Sequence, residues 1–119
     1  KLEALTLARF FPKFGYDICS FDFSSSGRSE GSYTTYGLLE QEDINSIISH
    51  LESRNSYDHY VLWGRSMGSV SIILSQGKNP HPKVSCLVLD SPFSSFEKVS
   101  IEIASKKSFI PQFMLGLLI

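Results

Sequence analysis

"LWGRSMGS", Leu62 to Ser69, sets one serine between two glycines directly after a run of large apolar residues. Gly64, Ser66 and Gly68 spell G-x-S-x-G, and the flanks decide what that spacing means. Before it, "YVLW" (60–63) is a short continuous apolar run, the pattern of a strand buried on both faces. After it, "SMGSVSIILSQ" (66–76) has the composition of a buried helix. Strand, G-x-S-x-G and helix together are the setting of a nucleophile elbow, a sharp turn that projects a serine hydroxyl from the end of a strand. Glycines two residues before and after the serine remove the Cβ atoms that would collide where strand and helix pack closely. Ser66 is therefore the candidate nucleophile, with Gly64 and Gly68 shaping its turn. The Met67 backbone N–H is the candidate oxyanion donor, because the start of a helix aims free N–H groups and a positive dipole end at developing negative charge.

Working outward, "VSCLVLD" (84–90) is a second continuous apolar run, after a break at Gly77 to Pro82. Upstream, "LLEQEDINSIISHLESR" (38–54) places Ile44, Ile47, Ile48 and Leu51 at i, i+3, i+4, i+7, which predicts a helix burying one face. Its acidic residues gather at the N-terminus, where the helix dipole favours them. "SSSGRSEGSYTTYG" (24–37) is crowded with serine, glycine and threonine and predicts a turn-rich loop. "YDICSF" (16–21) predicts a strand, and "LEALTLARFF" (2–11) a helix that ends at Pro12 and Gly15. "SSFEKVSIEIASKK" (94–107) is helical in pattern, and "FIPQFMLGLLI" (109–119) is rich in bulky apolar groups. Apolar strands alternating with helices predict an α/β domain, a parallel sheet with helices on both faces.

Composition narrows the function classes. A chain of 119 residues with 42% hydrophobic and 19% charged content fits one globular domain. With 11 basic and 12 acidic residues, and no longer like-charge run than a pair such as Lys106-Lys107, it carries no electrostatic footprint for nucleic acid or a polybasic membrane patch. The closing stretch, interrupted by Pro111 and Gln112, is too short for a span of about 20 apolar residues. Cys19 and Cys86 sit inside apolar runs and read as small buried hydrophobes in a reducing, cytoplasmic setting. No C-x-x-C or Cys/His ligand spacing occurs, so no structural metal and no cofactor is expected.

Beyond the elbow, several segments resemble the α/β-hydrolases. "YDICSFDFSSSGRSEGSY" (16–33) resembles the family's fourth strand and following loop, and "VSCLVLDSPFSSF" (84–96) its sixth strand and the entry to the lid region. The set "FDFS…SGRSEG", "EQED", "LWGRSMG" and "LVLDSPFS" is similar to the Bem46-like and serine-aminopeptidase-like branch, and the likeness runs from about Gly15 onward. One departure is Ser25, where related loops often carry glycine. The resemblance implies that residues 1–119 are a partial α/β-hydrolase domain, with the start of a lid region at its C-terminal end. The first strands, the second oxyanion donor and the late Asp/His part would lie outside it.

A serine alcohol is inert without a histidine base and an acid that orients the base. The resemblance implies the chain order Ser, then Asp or Glu, then His. His50 and His59 precede Ser66, and His81 falls in the connection between helix and next strand, ahead of the nearest acid, Asp90. No histidine of this chain fits the base, which is expected beyond Ile119. Asp90, ending its strand, is a candidate acid, although the resemblance implies that the acid more often follows the next strand and that an aspartate here caps the turn or lines the pocket. Asp22 is expected to accept backbone hydrogen bonds that shape the Ser24 to Gly31 loop, and Arg65 to anchor the elbow while pointing away from substrate, with selection of an acidic group by its charge as the alternative. Phe109, Phe113 and Met114 are candidate walls of an acyl pocket, with core packing as the equal alternative. The function implied is hydrolysis of an ester, thioester or amide in a small-molecule, lipid or peptide acyl substrate. The alternative is a non-catalytic module of the same fold that binds or scaffolds.

Overall fold

The computed structural model describes residues 4–54 and 57–107. The lid-wall candidates Phe109, Phe113 and Met114 lie outside the described residues. Two compact units divide the chain, Lys1–Thr34 and Thr35–Ile119.

In the first unit, helix α1 (Ala4–Phe10) runs into a 3-10 turn, Phe11–Phe14, whose first turn accepts Pro12. Gly15 closes it at φ 83°, a left-handed conformation that glycine takes without steric cost. Residues 16–21, expected as a strand, join no ladder among the described residues. The composition of "YDICSF" suits a strand, but a strand is completed by a hydrogen-bonded neighbour, and composition does not supply one. The loop that follows is tied down rather than free. Asp22 Oδ2 accepts the Arg28 N–H at 3.2 Å, and Ser29 Oγ donates to the Asp22 carbonyl at 2.7 Å, as the sequence predicts for Asp22. Ser25 takes φ 62°, a left-handed conformation uncommon for a residue with a Cβ, and donates its N–H to the Glu30 carbonyl at 2.9 Å.

The second unit contains helix α2 (Glu40–Arg54), strand β1 (Tyr60–Arg65), helix α3 (Met67–Lys78), strand β2 (Val84–Asp90) and helix α4 (Phe96–Lys107). The β1–α3–β2 segment is a parallel crossover, with Tyr60 opposite Val84 and Arg65 opposite Asp90. Thr35 and Glu40 start α2 by capping each other's ends. Glu40 accepts the Thr35 N–H, the Thr35 hydroxyl and the Gly37 N–H at 2.6–2.8 Å, while the Thr35 hydroxyl accepts the Leu39 N–H at 2.7 Å. Burial pushes the Glu40 carboxyl up, but these bonds outweigh it and hold the group below the usual carboxylate range.

The core lies between α2, α3 and the sheet, where Ile44, Ile48 and Ile72 are each 4% exposed. Each such isoleucine contributes about 1.5–3 kcal/mol of hydrophobic stabilisation. Of the four predicted α2 positions, Ile44 and Ile48 are buried and Ile47 and Leu51 half-buried. The buried face of α3 is unexpectedly polar: Ser69, Ser71, Ile72 and Ser75. These serines are small enough for close approach, and each satisfies its hydroxyl, Ser71 on the Met67 carbonyl and Ser75 on Asn45. Strand side chains alternate, so with Gly64 against α3, Val61 and Trp63 face the other side of the sheet. They are exposed, and among the described residues helix cover of the sheet is seen on the α3 side. Cys86, opposite Val61, and Cys19 are exposed free thiols, a correction to their reading as buried. Apolar neighbours in sequence bury a strand cysteine only where a covering element lies on its face.

Candidate active site

Ser66 links β1 to α3 at the C-terminal end of the parallel strands. Its backbone sits at φ 50°, ψ −115°, a region sparsely populated by residues with a Cβ. Such a conformation costs on the order of 1–3 kcal/mol and persists only where its surroundings over-determine it. The restraints are visible. The Ser66 N–H donates to the Asp90 carbonyl at 2.8 Å, and the Ser66 carbonyl accepts the Val70 N–H at 3.2 Å. Ser66 is the N-cap of α3 by position, yet its hydroxyl makes no capping bond. A serine at that position ordinarily spends its hydroxyl on the helix's free N–H groups. Here the side chain is exposed and the helix start stays open.

Gly64 shows why the turn demands glycine. A Cβ there would stand 2.5 Å from the Gly68 carbonyl carbon and oxygen and 2.6 Å from the Ser69 nitrogen. Backbone against backbone at that distance leaves nothing flexible to yield. A Cβ on Gly64 would thus meet the Gly68 backbone across the strand–helix contact. Met67 is the first residue of α3, so its N–H has no intrahelical acceptor and points with the helix dipole toward the strand ends. An exposed hydroxyl beside a free, dipole-aligned N–H can attack a carbonyl carbon and hold the resulting oxyanion.

Asp90 lies directly opposite Arg65, one residue from the elbow. Its carboxylate accepts the Ser91 hydroxyl at 2.7 Å and faces Arg65 Nε at 3.6 Å. Both members of the pair are more than half exposed, so the attraction is solvent-screened and weak. Arg65 is therefore joined to the adjacent strand end, the anchoring role its position suggests. The stronger contribution of Asp90 comes from its carbonyl, which accepts the Ser66 N–H and, at 2.9 Å, the Ser69 hydroxyl.

The histidines are elsewhere. His81 bonds its backbone N–H to Gln76 Oε1, offers Nδ1 to the Lys83 N–H at 3.3 Å, and sets its ring edge-on to Tyr60 at 5.8 Å. Half-buried, it belongs to the Tyr60 end of the sheet. The length of β1 separates that end from the elbow by roughly 16 Å at about 3.3 Å per residue. His59 adjoins Tyr60 at the same end, and His50 is exposed on α2. Beside His81, Glu52 accepts the Tyr60 hydroxyl and pairs with Lys83 Nζ at 2.9 Å. Burial, then the bond to Glu52, pushes the Tyr60 hydroxyl up to about 12. The bonds from Tyr60 and Lys83 hold Glu52 below the usual carboxylate range.

Sequence reasoning missed Ser69. It is fully buried, and its hydroxyl reaches the Gly64 carbonyl at 2.7 Å as well as the Asp90 carbonyl. The available signal was a small polar residue directly after the motif, three positions before Ile72 on the buried helix face. Among the described residues no group of His, Cys, Asp and Glu is arranged to hold a metal ion, and no helix is long and apolar enough to cross a membrane.

Comparison with known proteins places this geometry in context. Residues 3–117 match the family described as serine aminopeptidase, S33. The chain is 28% identical over 98 residues to the uncharacterized protein YqkD of Bacillus subtilis (strain 168), covering 82% of this chain and 32% of that protein. It is 27% identical over 96 residues to the uncharacterized protein YfhR of Escherichia coli (strain K12), covering 79% and 33%. It is 32% identical over 92 residues to the uncharacterized membrane protein YNL320W of Saccharomyces cerevisiae, covering 76% and 31%. The chain thus spans about a third of the length of the curated relatives it matches. No solved structure gives a significant match.

Proposed function

The chain belongs to the serine aminopeptidase S33 family of α/β-hydrolases, and from that premise we propose that it carries the nucleophile half of a serine hydrolase. Ser66 Oγ attacks the carbonyl carbon of an ester, thioester or amide while a histidine takes its proton. The carbonyl oxygen becomes an oxyanion held by the Met67 N–H. The C–O, C–S or C–N bond then breaks, the leaving group departs with the proton from histidine, and water releases the acyl group from Ser66. The histidine and a second oxyanion donor come from residues outside 1–119, since every histidine described here sits away from the elbow, and the orienting acid is either Asp90 or a later residue outside 1–119. The substrate is a small-molecule, lipid or peptide acyl compound. Two free thiols support a cytoplasmic location.

The observation that carries this reading is the exposed Ser66, held in a strained backbone with its hydroxyl withheld from capping α3. The test is to treat the full-length gene product and its Ser66→Ala variant with a fluorophosphonate probe. Labelling of the first and none of the second is expected. Equal labelling of both removes Ser66 from the chemistry, and no labelling of either favours the binding-module reading.

A further inference from the structure

We infer that Ser69 is a positioning residue, a buried hydroxyl that locks the strained Ser66 turn to the ends of both strands. This rests on the proposed role of Ser66. Three observations carry it. Ser69 is 0% exposed, and its hydroxyl lies 2.7 Å from the Gly64 carbonyl on β1 and 2.9 Å from the Asp90 carbonyl on β2. The Asp90 carbonyl is also the acceptor of the Ser66 N–H, so Ser69 and Ser66 are joined through one oxygen. Finally, the Ser69 nitrogen lies beside the Gly68 carbonyl at the close contact of α3 with Gly64, 2.6 Å from where a Cβ on Gly64 would stand. From one position, Ser69 therefore ties α3 to the strand residue two before the nucleophile and to the neighbouring strand end.

The physical consequence follows from the Ser66 backbone. A residue at φ 50°, ψ −115° relaxes once its restraints loosen, and relaxation rotates the hydroxyl away from the line of attack. Displacements of about 1 Å can lower reactivity up to about 100-fold. Loss of the Ser69 hydroxyl removes the single donor shared between the Gly64 and Asp90 carbonyls, which favours movement at this turn over movement elsewhere in α3. Ser71 and Ser75 provide the contrast: equally buried, on the same helix, but bonded to the Met67 carbonyl and to Asn45.

The experiment measures the rate of fluorophosphonate labelling against probe concentration in the full-length gene product, with melting temperatures recorded in parallel. Ser69→Ala is expected to lower the maximal labelling rate about 10-fold or more with the probe concentration at half-maximum unchanged. Ser75→Ala is expected to lower the melting temperature by a similar amount while labelling at the wild-type rate. Ser69→Cys, a weaker donor in the same site, replaces the alanine variant if that one does not fold, and is expected to be slowed as well. A Ser69 variant that labels at the wild-type rate overturns the inference and leaves the proposed function standing, as does equal slowing by Ser75→Ala. Wild-type protein that does not label at Ser66 overturns the proposed function and this inference together.

Discussion

The two ends of the same two-stranded ladder are built on opposite terms. At the Tyr60–Val84 end, where the ladder shifts register between Tyr60 and Val61, Glu52, Tyr60, Lys83 and His81 satisfy one another with none of the four at positive φ. At the Arg65–Asp90 end the chain leaves both strands through serines with positive φ, Ser66 at 50° and Ser91 at 54°. There the nucleophile candidate is exposed, the helix start is uncapped, and the charged pair is mostly in solvent. Parallel strands of one sheet thus place their stability at one edge and their strain at the other. Strain stored where polar groups remain unspent is the arrangement expected of a reactive site, whereas full mutual satisfaction marks a structural one.

This contrast can be broken most severely at Gly64. Gly64→Ala forces a Cβ into the Gly68 and Ser69 backbone, and should cost about 3 kcal/mol, the upper part of the overpacking range, and abolish labelling of Ser66. Urea unfolding together with probe labelling checks it; a variant of wild-type stability and reactivity would show that the close contact does not hold the elbow.

Next in size is the opposite end. Glu52→Ala strands the Tyr60 hydroxyl, whose residue is 8% exposed, and should cost about 1–3 kcal/mol while Ser66 labels at the wild-type rate. A drop in labelling comparable to that in Ser69→Ala would erase the distinction between the ends.

A pH series sharpens the same contrast. Because the Tyr60 hydroxyl is raised to about 12, folding favours the neutral phenol. Its contribution is complete below the ordinary value near 10 and declines as pH rises from there toward 12. The stability advantage of the wild type over Tyr60→Phe should therefore be largest at pH 8 and shrink above pH 10. An advantage that stays level to pH 12 would contradict the assignment.

The smallest effect is expected at Arg65. Arg65→Ala removes a solvent-screened contact with Asp90 and should change stability by less than about 1 kcal/mol, measurable by chemical denaturation. A larger loss would mean that the exposed end is held by charge rather than by the Asp90 carbonyl.

Much of this organisation was legible in the residues. The elbow followed from "YVLW", G-x-S-x-G and the helix after it, and "VSCLVLD" coincides with β2, because continuous apolar runs and glycine spacing are local signals. Asp22 was also readable, since a side chain that replaces backbone partners in a turn acts over a few residues. What escaped was non-local. "YDICSF" has strand composition, but pairing depends on a neighbour that composition cannot specify. Cys86 sits among apolar residues, yet it lies on the sheet side away from α3. Ser69 looked like one more helix serine, because its partners, Gly64 and Asp90, become neighbours only when helix, turn and two strands close together.

The central claim is that the strained, exposed Ser66 is the nucleophile. It is tested most directly by reacting the full-length gene product with a fluorophosphonate and mapping the adduct by fragmentation of the tryptic peptide Ser66–Lys78. The account predicts a single stoichiometric adduct on Ser66, absent after heat denaturation; an adduct on Ser69, Ser71 or Ser75, or none on this peptide, would contradict it.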